Sequence, residues 1–256
     1  LALRVGHHTG ELLITLVSSH GRLPGLNDLA NSWLQRWPQL VGVGLNLQPR
    51  ATNVVLGPHT ETVAGRGWLL ERFAGVELRI AADTFFQVNT VQAERLLPLL
   101  AAFFGVEAAP LIVDAYCGIG TFSLPLAAAG ARVVGLELHP ASVEQASANA
   151  TRNGITRARF LQGDVEALLP EALDCADGVV VDPPRKGLSD ATVATLSRLA
   201  PRRMAYISCN PATLARDLAL LCAPGPYRLQ QLQPVDFFPQ TSHVECVALL
   251  ERRTDE

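Results

Sequence analysis

The pattern of hydrophobic and polar positions changes near residue 89, and this change divides the chain into two predicted parts. Up to about residue 80, short apolar runs alternate with turns, which predicts an α+β domain over residues 1–80 that serves as a scaffold or substrate-positioning platform. Its predicted strands are residues 2–5, 11–17, 41–47, 54–56, 68–72 and 76–80, with a helix at residues 26–35. The chain opens on Leu1 rather than on methionine, which is consistent with a truncated N-terminus.

From about residue 89, helical spacing alternates with continuous apolar runs. Such runs predict parallel strands that helices cover on both faces. We therefore expect an α/β fold with a Rossmann-like sheet over residues 81–256, followed by an antiparallel hairpin at the sheet edge. The predicted strands are residues 111–114, 132–137, 158–161, 178–182, 204–208, 227–235 and 243–251. The predicted helices are residues 89–105, 121–129, 141–153, 190–200 and 211–221.

Composition limits the class of protein without identifying it. Of the 256 residues, 48% are apolar and 18% are charged, and the net charge is −3, which gives no overall attraction to nucleic acid. No apolar run approaches the ~20 residues of a membrane helix, so we expect no membrane association. Five cysteines without CxxC spacing indicate a reducing compartment, so we expect a cytoplasmic protein without a metal site.

The segment "LIVDAYCGIGTFSLPLAAAGARVVGLELHP" has the order strand, glycine turn, helix, strand and acid. Gly118 and Gly120 allow the backbone to turn tightly and to approach a ligand. Glu137 ends the second strand, where a carboxylate can hold the two hydroxyls of a ribose. Ser123 stands where a dinucleotide fingerprint has its third glycine, which favours S-adenosylmethionine over NAD. The alternative is a plain glycine-rich turn.

Two further acids follow strands at the carboxyl edge of the predicted sheet. Asp164 can accept a hydrogen bond from an adenine amino group, can cap the next helix, or can do both. Asp182 ends the fourth strand, and two prolines then turn the chain rigidly out of the sheet. Related loops of amino-group methyltransferases carry an aromatic residue where this chain has Arg185. A plain turn is the alternative here as well.

Cys209 ends the fifth strand, beside the Asp182 loop, and "NP" directly after it begins a helix. A helix N-terminus favours thiolate over thiol, so this position predicts a nucleophile rather than a buried core cysteine. The cysteines without such a setting, which we expect to pack in the core, are Cys175, Cys222 and Cys246.

Five motifs occur in order: "FFQVN" (85–89), "DAYCGIGTFSLPLA" (114–127), "DPPRKG" (182–187), "SCNP" (208–211) and "TSHVE" (241–245). Together they resemble the RNA uracil-carbon-5 methyltransferases that act on ribosomal or transfer RNA. The resemblance is strong over about residues 80–251 and weak before them. It implies an S-adenosylmethionine-dependent methyltransferase that modifies a uridine, and the wording of the second motif favours 23S ribosomal RNA over transfer RNA.

The resemblance also implies a covalent mechanism. Cys209 is the expected nucleophile, which adds to carbon 6 of uracil so that carbon 5 can accept a methyl group, and Glu245 is the expected base. Phe85 and Phe86 are candidates to stack on the extruded base, although one of the two is expected in the core. The residues expected to contact S-adenosylmethionine or its product S-adenosylhomocysteine are Gln87, Tyr116, Gly118, Gly120, Thr121, Glu137, Asp164 and Asp182. Of these, Gln87 and Asp182 are also expected in the uracil pocket.

Some of these residues have alternative interpretations, and so does the whole chain. Glu245 lies among apolar residues and could be the solvent-facing position of its strand, while His243 is a structural histidine or a proton carrier. A competing enzyme hypothesis is an adenine amino-group methyltransferase, which would use the Asp182 loop and leave Cys209 idle. A non-enzymatic hypothesis is an RNA-binding module that cannot turn over.

Two features of relatives are not visible in this sequence. Many relatives carry an N-terminal RNA-binding barrel, the TRAM domain, and some have an iron–sulfur site built from four cysteines. The five cysteines of this chain do not offer such a site, so we expect no iron–sulfur cluster. The expected partner is RNA, and the expected oligomeric state is a monomer.

Overall fold

The computed structural model describes residues 1–52, 54–223 and 225–254. Contacts within the chain divide it into two compact units, Leu1–Phe86 and Gln87–Glu256. The sequence predicts the boundary at residue 80, six residues before the end of the first unit. The last two residues of the second predicted domain, 255 and 256, lie outside the described residues. The roles assigned to the two predicted domains stay predictions.

The first unit contains a four-stranded sheet with the strand order β1-β2-β3-β4. These strands are β1 Ala2–Val5, β2 Leu12–Ser18, β3 Leu40–Leu47 and β4 His59–Gly65. The parallel pair β2 and β3 is joined through helix α1, Leu26–Arg36, whose Ala30 packs on Leu40, Val43 and Ala64. The α+β character predicted for this part of the chain is confirmed.

A hairpin of β5, Trp68–Phe73, and β6, Val76–Ala81, completes this unit. Its two turn residues, Ala74 and Gly75, both have positive φ, as the tight turns of twisted hairpins require.

The predicted strand at residues 54–56 is wrong. Val54 has no regular structure, and Val55 and Leu56 lie in a bend. Both valines are exposed, so this apolar run has no sheet face to cover. The run is followed by Gly57 and Pro58, which favour a loop because proline cannot donate to a strand ladder.

The second unit is built on a seven-stranded sheet with the order β12-β13-β11-β10-β7-β8-β9. The strands are β7 Leu111–Ala115, β8 Arg132–Glu137, β9 Ala158–Gln162, β10 Gly178–Val181, β11 Arg203–Ser208, β12 Tyr227–Val235 and β13 Glu245–Arg252. The first five of these run parallel, and the hairpin of β12 and β13 adds to β11 in antiparallel orientation. The predicted Rossmann-like α/β fold is therefore confirmed.

Helices connect the parallel strands, and side-chain caps mark where several of them begin. They are α2 Thr90–Phe104, α3 Ser123–Ala128, α4 Pro140–Arg152, α5 Val165–Leu173, α6 Asp190–Leu199 and α7 Pro211–Cys222, with a 3-10 turn at Val106–Ala108. Asn89, Asp164, Ser189 and Asn210 each accept a backbone N–H at the start of a helix. Helix α3 begins two residues later than predicted, because the chain from Gly118 onward is still in a turn.

The middle of the sheet is completely buried and fixes the strand ends that follow it. All four residues of β10 are buried, and Val113, Val179 and Tyr206 belong to one apolar cluster with residues of α5, α6 and α7. Because β7, β8, β10 and β11 are parallel, their carboxyl ends meet at the same edge of the sheet. No helix among the described residues is long and apolar enough to cross a bilayer.

Candidate active site

Cys209 and Glu245 lie at neighbouring strand ends. The antiparallel ladder of β11 and β13 pairs Ile207 with Val247 and Ser208 with Cys246. Cys209 directly follows Ser208 and Glu245 directly precedes Cys246, so both residues lie at the same end of this ladder, and the charge of Glu245 acts on the thiol. Cys209 and Glu245 are far apart in the sequence. The fold brings this thiol and this carboxyl group to the same end of the sheet.

The surroundings of Cys209 favour the thiol over the thiolate. Burial raises the pKa of the half-buried Cys209, and the charges of Glu245 and Asp182 raise it further, while Arg185 lowers it. The expectation that the start of α7 would favour the thiolate is therefore not met, because burial and the charges of two carboxyl groups raise the pKa more than Arg185 and a backbone hydrogen bond lower it. Cys209 needs to lose a proton before it can act as a nucleophile.

Glu245 is buried, so the solvent-facing interpretation of this residue is wrong. Burial raises the pKa of its carboxyl group, and Arg185 opposes this shift. A carboxylate with a raised pKa is a better proton acceptor than a free one, which is what a general base requires. The strand starts at Glu245 rather than at residue 243, and His243 is exposed, with its ring against Phe238 and its N–H donated to Thr241.

Asp182 follows directly after β10 and is held on both sides. Its backbone N–H donates to the carbonyl of Ala115 at 3.3 Å, and the amide Nε2 of Gln87 donates to its carboxylate Oδ2 at 3.4 Å. Burial raises the pKa of Asp182 well above its usual range, with further contributions from Glu245 and Asp114, and the hydrogen bond from Gln87 opposes them. The predicted pair of Gln87 and Asp182 is thus in direct contact.

Arg185, in the Asp182 loop, is a cation of the site for which the sequence predicts no role. It is the cation that lowers the pKa of both Cys209 and Glu245. Its backbone carbonyl accepts hydrogen bonds from the side chains of Asn210, at 3.2 Å, and Thr213, at 3.3 Å. Its position in the sequence could have indicated a role. Arg185 lies three residues after Asp182, between two prolines and the next glycine, so a rigid loop places its positive charge at the edge of the sheet.

The glycine turn after β7 is bound to the acid at the end of β8. Gly118 has φ +55°, and its N–H donates to Glu137 Oε2 at 3.0 Å, while the N–H of His139 donates to Oε1 at 2.8 Å. A Cβ at Gly118 would meet no atom within 4 Å, whereas one at Gly120 would lie 3.0 to 3.2 Å from Leu124 and Phe160. The turn is therefore open on the Gly118 side and closely packed at Gly120.

The remaining predicted cofactor contacts differ in exposure. Tyr116 is half-buried and has a positive φ of 69°, which is rare for a bulky residue and places it in the turn between β7 and Gly118. Thr121 is buried. Asp164 is exposed and caps α5 by accepting the N–H of Glu166 at 2.9 Å, so its capping role is confirmed and its contact to adenine stays a prediction.

Asp114 is a buried acid near the end of β7 for which the sequence predicts no role. The hydroxyl of Ser123 donates to its Oδ2 at 2.5 Å. Burial raises the pKa of Asp114 to about 7, the Ser123 bond lowers it, and Glu137 raises it. Asp114 thus interacts with both neighbouring acids: the charge of Glu137 raises its pKa, and its own charge raises the pKa of Asp182.

Phe85 and Phe86 belong to the first unit and differ in environment. Phe86 is half-buried and packs edge-to-face on Phe73, with ring centroids 5.6 Å apart, while Phe85 is 65% exposed. The expectation that one of the two would pack in the interior fits Phe86, and stacking of Phe85 on a base stays a prediction.

All five cysteines are free, and their burial differs from the prediction at one position. Cys246 is buried and Cys222 half-buried, but Cys175 is exposed, because it lies after the end of α5 rather than inside an element. Across residues 1–52, 54–223 and 225–254, no three His, Cys, Asp or Glu side chains are grouped as a metal ion would require.

Comparison with known proteins gives one family and several relatives. The family model described as tRNA (uracil-5-)-methyltransferase matches residues 11–253. An uncharacterised RNA methyltransferase of Parasynechococcus marenigrum is 53% identical over 98% of this chain and 55% of its own length. One of Nostoc is 49% identical over 98% of this chain and 54% of its own length. The chain thus spans about half the length of the curated relatives it matches.

Two solved structures show the same fold. The Pyrococcus abyssi tRNA (uracil-54, C5)-methyltransferase in complex with S-adenosyl-L-homocysteine has a TM-score of 0.80 at 31% identity, over 97% of this chain and 58% of that chain. The P. horikoshii TYW2 in complex with MeSAdo has a TM-score of 0.61 at 15% identity, over 97% of this chain and 89% of that chain, and this likeness concerns the fold alone.

Proposed function

This chain belongs to the tRNA (uracil-5-)-methyltransferase family, and from this premise we propose that it carries the active site of an S-adenosylmethionine-dependent enzyme that methylates carbon 5 of a uridine in RNA. The observation that carries the proposal is the register of β11 and β13, which brings a thiol and a buried carboxyl group together at Cys209 and Glu245. The Asp182 loop adds a second carboxyl group, that of Asp182, and the cation Arg185 to this pair. An amino-group methyltransferase would not need the thiol.

Cys209 supplies the nucleophile. Carbon 5 of uracil is too weak a nucleophile to take a methyl group directly, so the sulfur of Cys209 adds to carbon 6 and the ring electrons move toward carbon 5. The new S–C6 bond makes carbon 5 enolate-like. The cation at Arg185 stabilises the negative charge that forms when Cys209 loses its proton, because it lowers the pKa of this thiol.

Glu245 acts after carbon 5 has been methylated. Its carboxylate removes the hydrogen of carbon 5 as a proton, the electron pair of that C–H bond forms the C5–C6 double bond, and the S–C6 bond breaks. Cys209 is regenerated in this step. The position of Glu245 beside Cys209 in the strand register supports this role, because a single base must reach the ring that the sulfur holds.

Asp182 and Gln87 contact the uracil edge in this proposal. The raised pKa of Asp182 favours the neutral acid, which can donate a hydrogen bond to a carbonyl oxygen of the ring as negative charge develops there. Gln87 donates to Asp182 and fixes the direction of the carboxyl group.

The glycine turn fits an adenosyl group. The open side of Gly118 leaves space for a ligand at the turn, and Glu137, held by two backbone N–H groups, has the acceptor oxygens that ribose hydroxyls require. Bound S-adenosylmethionine supplies an electrophilic methyl group on a sulfonium. Tyr116, Thr121 and Asp164 are proposed to complete its contacts.

The proposed RNA substrate is 23S ribosomal RNA, which the residues of the motif at positions 114–127 favour. Transfer RNA is the second candidate, and the tRNA (uracil-54, C5)-methyltransferase of known structure favours it. We also propose that the protein is cytoplasmic and monomeric, as expected from the sequence.

The test is to incubate the purified protein with methyl-labelled S-adenosylmethionine and separated ribosomal and transfer RNA, and then to digest the RNA and analyse the nucleosides by mass spectrometry. The proposal predicts labelled 5-methyluridine, and none with Cys209→Ala. Labelled N6-methyladenosine that persists in Cys209→Ala would instead support an amino-group methyltransferase. No labelled nucleoside in either RNA, despite cofactor binding, would support the RNA-binding module.

A further inference from the structure

Asp217 is a completely buried carboxylate in α7 that has no place in the chemistry above. Its Oδ2 accepts the hydroxyl of Tyr206 at 2.6 Å and the backbone N–H of Leu188 at 2.8 Å. Its Oδ1 accepts Nε of Arg216 at 2.8 Å. One acid thus joins strand β11, helix α7 and the chain segment that follows Asp182.

Arg216 extends this set of bonds to the Asp182 loop. Its exposed guanidinium donates through Nη2 to the carbonyl of Lys186 at 3.0 Å and to the carbonyl of Leu188 at 3.1 Å. The loop fits closely on this pair: Gly187 has φ +77°, and a Cβ there would lie 2.6 Å from Asp217 Oδ2 and 2.7 Å from Arg216 Nη2. Only glycine allows so close an approach of the loop to the ion pair.

The loop that Asp217 and Arg216 hold is the one that carries Arg185. Residues 184–187 form a β-turn, in which the N–H of Gly187 donates to the carbonyl of Pro184 at 2.8 Å, so that Arg185 is one of the two central residues. The turn is bound to α7 and its cap through the carbonyls of its two central residues, Arg185 and Lys186, and through the N–H of Leu188, which follows the turn. Cys209 directly precedes the cap of that same helix.

We propose that Asp217 and Arg216 are positioning residues for methyl transfer, which hold the 184–187 turn so that the charge of Arg185 stays directed at Cys209 and Glu245. This inference rests on the proposed function in that it takes Cys209 as the reacting thiol. Neither residue of the pair touches the substrate or the reacting atoms. Their effect on the reaction passes through Arg185.

The sign of the effect separates this role from a direct electrostatic one. If Arg216 and Asp217 acted on Cys209 by their own charges, removing the cation and removing the anion would change the reactivity of the thiol in opposite directions. If they act by placing Arg185, both Arg216→Gln and Asp217→Asn make the thiol harder to ionise. Both effects then disappear in a chain that already lacks the Arg185 charge.

The experiment measures the pH dependence of the alkylation rate of Cys209 by iodoacetamide, with peptide mass spectrometry to resolve each cysteine. It is done on the purified protein without RNA and without S-adenosylmethionine, so it gives its answer whether or not RNA is methylated. The variants are Arg216→Gln and Asp217→Asn, each alone and combined with Arg185→Gln. Exposed Cys175 serves as the internal reference, and Leu169→Ala, a core change in α5, controls for lost stability.

We expect Arg216→Gln and Asp217→Asn each to slow the alkylation of Cys209 at pH 8 by roughly 2- to 10-fold, as loss of one nearby cation would. We expect no further slowing when either is added to Arg185→Gln. Opposite signs for the two variants, effects that persist in Arg185→Gln, an unchanged rate, or an equal slowing in Leu169→Ala would overturn the proposal. Should Asp217→Asn not fold, the comparison of Arg216→Gln with and without Arg185→Gln decides the matter.

Discussion

Cys209 follows the last residue pair of the β11–β13 ladder, and Glu245 precedes the partner residue of that pair, so the two lie at the same end of the ladder. The charge of Glu245 raises the pKa of Cys209. In the proposed reaction the two act in succession, the sulfur before methyl transfer and the carboxylate after it. Their adjacency has consequences that can be measured.

Replacing Glu245 by Gln removes the base but keeps the size of the side chain. The adduct of Cys209 with methylated uracil then keeps its hydrogen at carbon 5 and cannot eliminate the sulfur. We expect turnover to fall by roughly 100-fold or more, and a protein–RNA complex to survive denaturing gel electrophoresis.

Glu251→Gln is the matched control for this variant, since Glu251 lies in the same strand and contacts Arg203 and Gln230 rather than the thiol. It is expected to turn over normally without a stable complex. Normal turnover by Glu245→Gln would exclude Glu245 as the base.

The rate of methylation should increase with pH from neutral into the alkaline range. The pKa of Cys209 is raised, so at neutral pH the thiol is mostly protonated, and the thiolate fraction grows as the pH rises toward that pKa. Arg185→Gln removes the cation that lowers the pKa of Cys209 and Glu245, so its pH–rate profile should move to higher pH.

Lys186→Gln provides the comparison, because Lys186 is the neighbouring cation of the same turn, while Arg185 is the cation that lowers the pKa of the thiol. A profile of kcat/KM against pH checks both variants. An equal displacement in Lys186→Gln would show that net charge, rather than the position of Arg185, controls the profile.

The raised pKa of Asp114 should make the free energy of unfolding depend on pH. Its pKa is about 7 in the folded protein and 3.8 ordinarily, so the folded state binds the additional proton between these values. The contribution of this group to the free energy of unfolding is therefore fully present below the lower value and decreases as the pH rises to about 7, by on the order of 4 kcal/mol at most.

Unfolding by urea at pH 5 and at pH 8, for the natural chain and for Asp114→Asn, isolates this contribution. The natural chain should lose more stability than the variant between the two values, because asparagine does not titrate. An equal loss in both chains would mean that Asp114 is ionised in the folded state throughout.

The two glycines of the turn after β7 should respond differently to alanine. Gly118→Ala and Gly120→Ala both place a side chain at positive φ, at a cost of about 1–2 kcal/mol each. Gly120→Ala also presses on Leu124 and Phe160, so it should lower the melting temperature more. Gly118→Ala projects into the open side of the turn, so it should weaken binding of S-adenosylhomocysteine in calorimetry more than Gly120→Ala does, and the reverse order would contradict the proposed cofactor site.

The fold could be predicted largely from local patterns. The buried valines of β7, β8 and β10 appear as continuous apolar runs, and Asp164 and Asn210 stand at helix starts as capping residues do. The run at residues 54–56 misled the prediction because an exposed loop and a buried strand can share the same three residue types.

The electrostatics of the site could not be predicted from the sequence. The pKa of Cys209 depends on Glu245, Asp182 and Arg185, which only the fold brings together. For the same reason Asp217 carried no signal, since its partners Tyr206 and Leu188 lie in other elements. A rule that considers only the local sequence, such as the effect of a helix N-terminus on a thiol, predicts a lowered pKa for Cys209. It gives the wrong direction because it does not include charges from distant parts of the chain.

The central claim is that sulfur of Cys209 bonds to the pyrimidine, and the most direct measurement uses RNA from bacteria grown with 5-fluorouracil. Fluorine at carbon 5 does not leave as a proton does, so methylation should stop at the covalent stage. With S-adenosylmethionine present, mass spectrometry of the digested complex should find methylated fluorouridine on the peptide of Cys209. Labelled product without any adduct at Cys209, or an adduct that forms equally in Cys209→Ala, would contradict the account.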